Sequence, residues 1–151
     1  MTNPTKSIRI GSCVLFIVSM LAVIYTVFVI GNPEFFIKKA CPGYTGRTWA
    51  EIAAASPAAV PYIRALERKV GAFGLVLTIG TLFVLFGAFK KGEGWAWWFI
   101  LVATGGGWLI NIIFHIFSRS PLGLAMSVVG IAAVLIVLIC TAKDVLAKKP
   151  S

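Results

Sequence analysis

Few residues in this chain could carry chemistry. Its one histidine, His115, follows Asn111 by four residues, which places an imidazole and a carboxamide on one face of a helix. Arg119 stands four residues further on. Counted from Trp95, His115 lies about 30 Å along a helix, at the level where a second helix begins with Arg64 and Glu67. Together Glu67, Arg64, Asn111, His115 and Arg119 make a candidate ligand-binding cluster near one bilayer face, where ionisable groups commonly mark function. In the competing reading His115 donates to a neighbouring carbonyl or to Glu67 and serves packing alone.

Other chemistries lack parts. A bis-histidine haem needs a second axial histidine that only a symmetric oligomer would supply, and His115 with Met126 is too small a set for copper. No metal site is expected, and no residue pattern names a cofactor. The four apolar spans contain no carboxylate to carry protons, and neither an HExxH motif nor a carboxylate pair is present for hydrolysis. Cys13, Cys41 and Cys140 show no CxxC spacing, so structural thiols are the expectation. Cys13 and Cys140 come to similar depth on one face, where a reducing cytoplasm would keep them as thiols.

The string Lys90-Lys91-Gly92-Glu93-Gly94-Trp95-Ala96-Trp97-Trp98 has a different use. Lysines suit headgroup phosphates, glycines suit a turn, and tryptophans favour the membrane interface. Lys90, Lys91, Trp95, Trp97 and Trp98 are therefore read as interfacial anchors, with Trp49 as a sixth.

The elements that position these residues follow from composition. Of 151 residues 59% are hydrophobic and 13% charged, far from the soluble balance of roughly half and a quarter. Each bilayer crossing needs about 20 apolar residues. Four such runs are present, at 10–30, 70–89, 95–117 and 122–142. Lys6 and Arg9 precede the first as they would in a secretory signal, but a full-length span and no small-residue cleavage site point to a retained transmembrane helix. Gly31-Asn32-Pro33 ends it, with glycine available for a left-handed cap.

A structured loop is expected over 31–60. Within it Thr48-Trp49-Ala50-Glu51 has capping-box spacing, which predicts a short helix over 49–55. That helix lies either on the bilayer interface or packed on the bundle end. The second transmembrane helix should start at Pro61, stand in the headgroups for two turns, and run to Phe89. The tight link at 90–94 makes its successor an antiparallel neighbour. The tail over 143–151 is expected in solvent.

Helices in lipid associate through small and polar residues, and these recur at helical spacing. The seams are Ser12, Ser19 and Thr26; Gly71, Gly74, Thr78 and Thr81; Thr104, Trp108, Asn111, His115 and Ser118; and Gly123, Ser127 and Gly130. Steps of three and four predict an all-α, antiparallel, left-handed bundle of four transmembrane helices. Gly105-Gly106-Gly107 interrupts the third and signals a close backbone approach, a kink or space for a ligand.

The net charge of +9 falls between the spans, so anionic headgroups explain it better than nucleic acid. Lysines and arginines divide seven to seven between the two faces. Their density in the short segments favours both termini in the cytoplasm.

Residues 45–98, with Thr48-Trp49-Ala50-Glu51, the stretch 57–68 and Lys91-Gly92-Glu93-x-Trp95-Ala96-Trp97, resemble a recurring type of small bacterial four-span membrane protein with no assigned activity. The resemblance implies fold and a place in the inner membrane. The signature residues of glutathione-linked membrane enzymes, small multidrug exporters and quinone-linked thiol oxidoreductases have no counterpart here. The expected function is a non-enzymatic accessory, structural or lipid-binding bundle, with membrane lipids as partners and a homo-oligomer or larger complex as a further partner. The alternative is a small transporter or membrane enzyme that binds an amphipathic ligand near Asn111 and His115.

Overall fold

The computed structural model describes residues 4–146, and no strand occurs among them. Four long apolar helical segments are each able to cross a bilayer: Lys6–Gly31, Ala59–Lys91, Gly94–Phe117 and Pro121–Leu146. The chain is an all-α membrane protein of the expected architecture. Its elements are α1 (Lys6–Gly31), α2 (Pro33–Thr45), α3 (Trp49–Ala55), α4 (Ala59–Gly87), a 3-10 turn (Phe89–Lys91), α5 (Gly94–Phe99), a π-helical segment (Ile100–Gly105), α6 (Gly106–Phe117) and α7 (Pro121–Leu146). At 29 residues, α4 is about 43 Å long. It overreaches a hydrocarbon layer about 30 Å thick.

The first loop is more helical than expected. α2 begins on Asn32 with Pro33 at its first position, where the missing amide hydrogen does no harm. It continues through Pro42 and stops at Gly46, whose φ of 68° is left-handed. Gly31 does not supply that cap. It is the last residue of α1, and Asn32 follows at φ −128°. Aromatic rings hold α2 on the end of α1: Phe36 meets Tyr25 at 5.3 Å and Phe28 at 5.6 Å between centroids, and Phe35 meets Phe28 at 5.5 Å.

The seams face inward. Ser12, Ser19 and Thr26 are all buried, as are Thr81, Ser118 and Ser127. A side chain at Gly71 would come within 3.0 Å of Val29 and Ile30, and one at Gly74 within 2.9 Å of Thr26. These glycines bring α4 onto α1. Thr26, Thr78, Thr81 and Thr141 donate to carbonyls of their own helices, so their hydroxyls are satisfied without a partner helix.

The main apolar cluster lies toward the end that bears the termini and the tight turn, while Val29, Ile37 and Trp49 are buried at the other. The cluster comprises Leu15, Leu85, Ala88, Phe89, Ala96, Ile100, Val134, Val137 and Leu138. At the other end α6 has no fully buried residue. There α4 packs along α1 and α6 along α7, and α2 joins the pairs. Its Glu34 is ion-paired with Arg64 of α4, Tyr44 Oη donates to the Phe114 carbonyl at 3.2 Å, and Gly43 lies against the Ser118 backbone.

The expected solvent-exposed tail needs correction over 143–146. α7 continues to Leu146, Val145 is 1% exposed, and Asp144 accepts from the hydroxyls of Thr5 (2.7 Å) and Ser7. These bonds clasp the start of α1 to the end of α7. Residues 147–151 lie outside the described part.

Gly130 and Gly80 separate packing from propensity. A side chain at Gly130 would stand 2.6 Å from the Trp108 ring, whereas one at Gly80 meets nothing within 4 Å. Gly130→Leu should cost about 1–3 kcal/mol through overpacking. Gly80→Ala should gain about 0.5–1 kcal/mol by helix propensity. Melting in detergent, followed by circular dichroism, reads both.

Candidate functional site

The third span carries the candidate residues on an irregular backbone. Ala96, Ile100, Thr104 and Trp108 recur every four residues, so they run ahead of the 3.6-residue period of an α-helix. Widening to a π turn over Ile100–Gly105 absorbs that drift and keeps one edge inward. Ala96 and Ile100 are fully buried, and Thr104 Oγ1 lies 3.3 Å from Thr81 Oγ1 of α4. The three glycines follow at its end. A side chain at Gly107 would lie 3.9 Å from Leu77, whereas one at Gly106 meets nothing within 4 Å. Thus the glycine run accompanies a change of helix type, and the closest backbone approaches lie at other glycines.

On α6 the two ring-bearing seam residues enter notches in α7. Trp108 covers Gly130 and His115 covers Gly123, a seven-residue interval on each helix. Any side chain at Gly123 would stand 2.4 Å from His115 Cε1. The imidazole thus fills a helix contact, and its Nδ1 is buried without a hydrogen-bond partner. Asn111 Nδ2 donates to the Gly107 carbonyl, one turn back, at 3.0 Å.

Arg119 closes the helix with its backbone. It is exposed, its φ is 51°, and its amide donates to Ile116 O while that of Ser120 donates to His115 O. These two bonds are the Schellman pattern, in which the left-handed residue is usually glycine.

Arg64 and Glu67 belong to a different neighbourhood. Arg64 pairs with Glu34, which Lys38 also approaches at 3.6 Å. Glu67 stands three residues beyond Arg64 along α4. Among the described residues, no hydrogen bond or ion pair joins Arg64 or Glu67 to Asn111, His115 or Arg119. The five candidates therefore fall into two groups, one on the α1–α2–α4 side and one on the α6–α7 side.

The anchors also separate. Lys90, Lys91, Trp95 and Trp98 are exposed at the tight turn, where Gly92 takes a φ of 74°. Lys90 Nζ sits 4.2 Å from the Phe86 ring centroid, and Trp95 Nε1 donates to Glu93 at 2.6 Å. Trp97 turns inward, and its Nε1 donates to the Leu138 carbonyl at 2.9 Å. Trp49 is only 6% exposed, with α3 packed on α2. Of the two placements for this short helix, the packed one is found.

The expected capping box is present in both directions. Thr48 N and Oγ1 donate to Glu51 Oε2 at 2.7 and 3.0 Å, and the Glu51 amide donates back to Thr48 Oγ1. Bonds from the Thr48 backbone amide first, and then its hydroxyl, hold the Glu51 carboxyl below its usual range. A depressed carboxyl stabilises the fold above its unfolded pKa, and that contribution is lost as pH falls through the folded value. Protection of the amides over residues 48–55, measured against their intrinsic exchange rates at each pH, should therefore fall on acidification through the carboxylate range. Glu51→Gln should flatten that pH dependence.

Neither a protein-family model, nor a curated protein, nor a solved structure matches this chain.

Proposed function

We propose that the protein is a non-enzymatic accessory or structural component of a bacterial inner membrane that holds lipids at its charged rims, with both termini cytoplasmic. One observation carries this reading: the polar residues of the spans are engaged in building the bundle. His115 and Trp108 fill glycine notches, Asn111 bonds its own helix, and Trp97 bonds the Leu138 carbonyl. The exposed Lys90, Lys91, Trp95 and Trp98 supply a rim suited to headgroups. The four-span likeness in residues 45–98 supports the placement in the inner membrane and brings no activity.

Assembly with further copies or partners belongs to the same proposal, with a restriction. Gly71, Gly74, Gly123 and Gly130 are covered within the chain, whereas Gly80 and Gly87 have open space beside them. A second copy would use the latter pair.

The second reading, an amphipathic ligand near Asn111 and His115, is favoured by the unpartnered His115 Nδ1. The two readings differ in what substitution does. Under the first, His115→Ala empties a notch and Asn111→Ala removes a backbone bond, so both lower the melting temperature in detergent. Arg119→Gly, at a left-handed position, keeps stability within about 1 kcal/mol. Under the second, all three abolish a ligand-induced shift while stability stays near wild type, an outcome that would sink the structural role.

Orientation has its own measurement. Burial raises the Cys41 thiol above its usual range, so its labelling should quicken in mild alkali. With cytoplasmic termini, an impermeant maleimide should label Cys41 on intact cells. Labelling only after permeabilisation inverts the topology.

A further inference from the structure

The start of α1 gathers cations and apolar residues on one face. Lys6, Arg9, Ile10, Cys13 and Ile17 follow helical spacing, and Lys6, Arg9 and Ile10 are exposed. Beside this face a groove of about 430 Å³ runs along the α1–α7 contact, walled by Ile10, Gly11 and Val14 on one side and by Ala133, Ile136 and Cys140 on the other. Ile10 and Val14 also border the adjoining depression that carries Lys6 and Arg9. Cationic face and apolar groove are therefore continuous.

The groove's depth suits one leaflet. Its α1 wall runs from Ser7 to Val14, about 10 Å of helix, against about 15 Å for half the hydrocarbon layer. Gly11 sets its floor, because the missing side chain lets Val137 and Thr141 close in behind it. Asp144, the one acidic residue of α7, is turned toward Thr5 and Ser7 at the clasp, and Lys143 beside it is exposed.

We infer that this groove binds an acyl chain of an anionic phospholipid whose phosphate is held by Lys6 and Arg9. The inference deepens the lipid-holding role proposed above and rests on it. Charge complementarity selects the occupant. An apolar wall accepts any hydrocarbon, but two exposed cations at its mouth favour a headgroup with net negative charge. A second transmembrane helix would cover the wall and bring no phosphate to the cations.

The test uses the full chain in nanodiscs of phosphatidylcholine with a minor fraction of phosphatidylglycerol, followed by native mass spectrometry of retained lipid. Wild type should retain phosphatidylglycerol preferentially. Lys6→Gln and Arg9→Gln should each weaken that retention roughly five-fold. Cys140→Phe, which fills the groove from its exposed side, should remove it with the charges intact, and Ala132→Phe outside the groove should leave it unchanged. A readout that needs no variant is alkylation of wild-type Cys140, which phosphatidylglycerol should slow relative to phosphatidylcholine alone.

Equal alkylation rates in the two lipids overturn the proposal, as does retention indifferent to Lys6, Arg9 and Cys140. Should retention instead depend on Lys90 and Lys91, this groove is refuted while the broader lipid-holding role stands. No anionic preference in wild type would sink both.

Discussion

Helices already surrounded by hydrocarbon gain little by exchanging lipid contacts for contacts with one another, so close approach has to supply the attraction. In this protein it comes from positions with little or no side chain. Gly71 and Gly74 admit α1, Gly11 admits α7, and Gly123 and Gly130 receive the His115 and Trp108 rings. The ring-in-notch pairs matter most for the chemistry. One of them sets His115, the sole histidine, against the backbone of α7.

Tightness is distributed unevenly as a result. The fully buried apolar cluster sits at the end with the termini and the Lys90 turn, where the Asp144 clasp also lies. The opposite end has no such core along α6 and is held instead by α2. That helix reaches α1 through aromatic rings, α4 through Glu34 and Arg64, and the α6–α7 turn through Tyr44 and Gly43. Local opening is drawn from regions with few buried apolar contacts, so this end is where motion between the helix pairs would begin.

Much of the scaffold was legible in residue order, and much of the candidate site was not. The seams of all four spans showed in the spacing of small and polar residues, because lipid offers no other reason for such residues to recur. The capping box at Thr48 and Glu51 was equally plain, since its bonds are local. α2 is less plain: Asn32, Pro33 and Glu34 form a start signal, but Pro42 stands inside the helix, where proline is disfavoured. The clasp at Asp144 had no local signal, as its partners lie at the other end of the chain.

Sequence alone determined the number of spans, their approximate places, their inward edges and the tight turn at Gly92. These depend on hydropathy, helical period and backbone conformation, all of which act over a few residues. Only the tertiary structure decided which polar residues meet. Arg64 turned to Glu34 and His115 to Gly123, so the five candidates divided between two helix pairs. Depth along a helix can be counted from the chain, but the direction a side chain faces among three neighbours is set by how those neighbours pack.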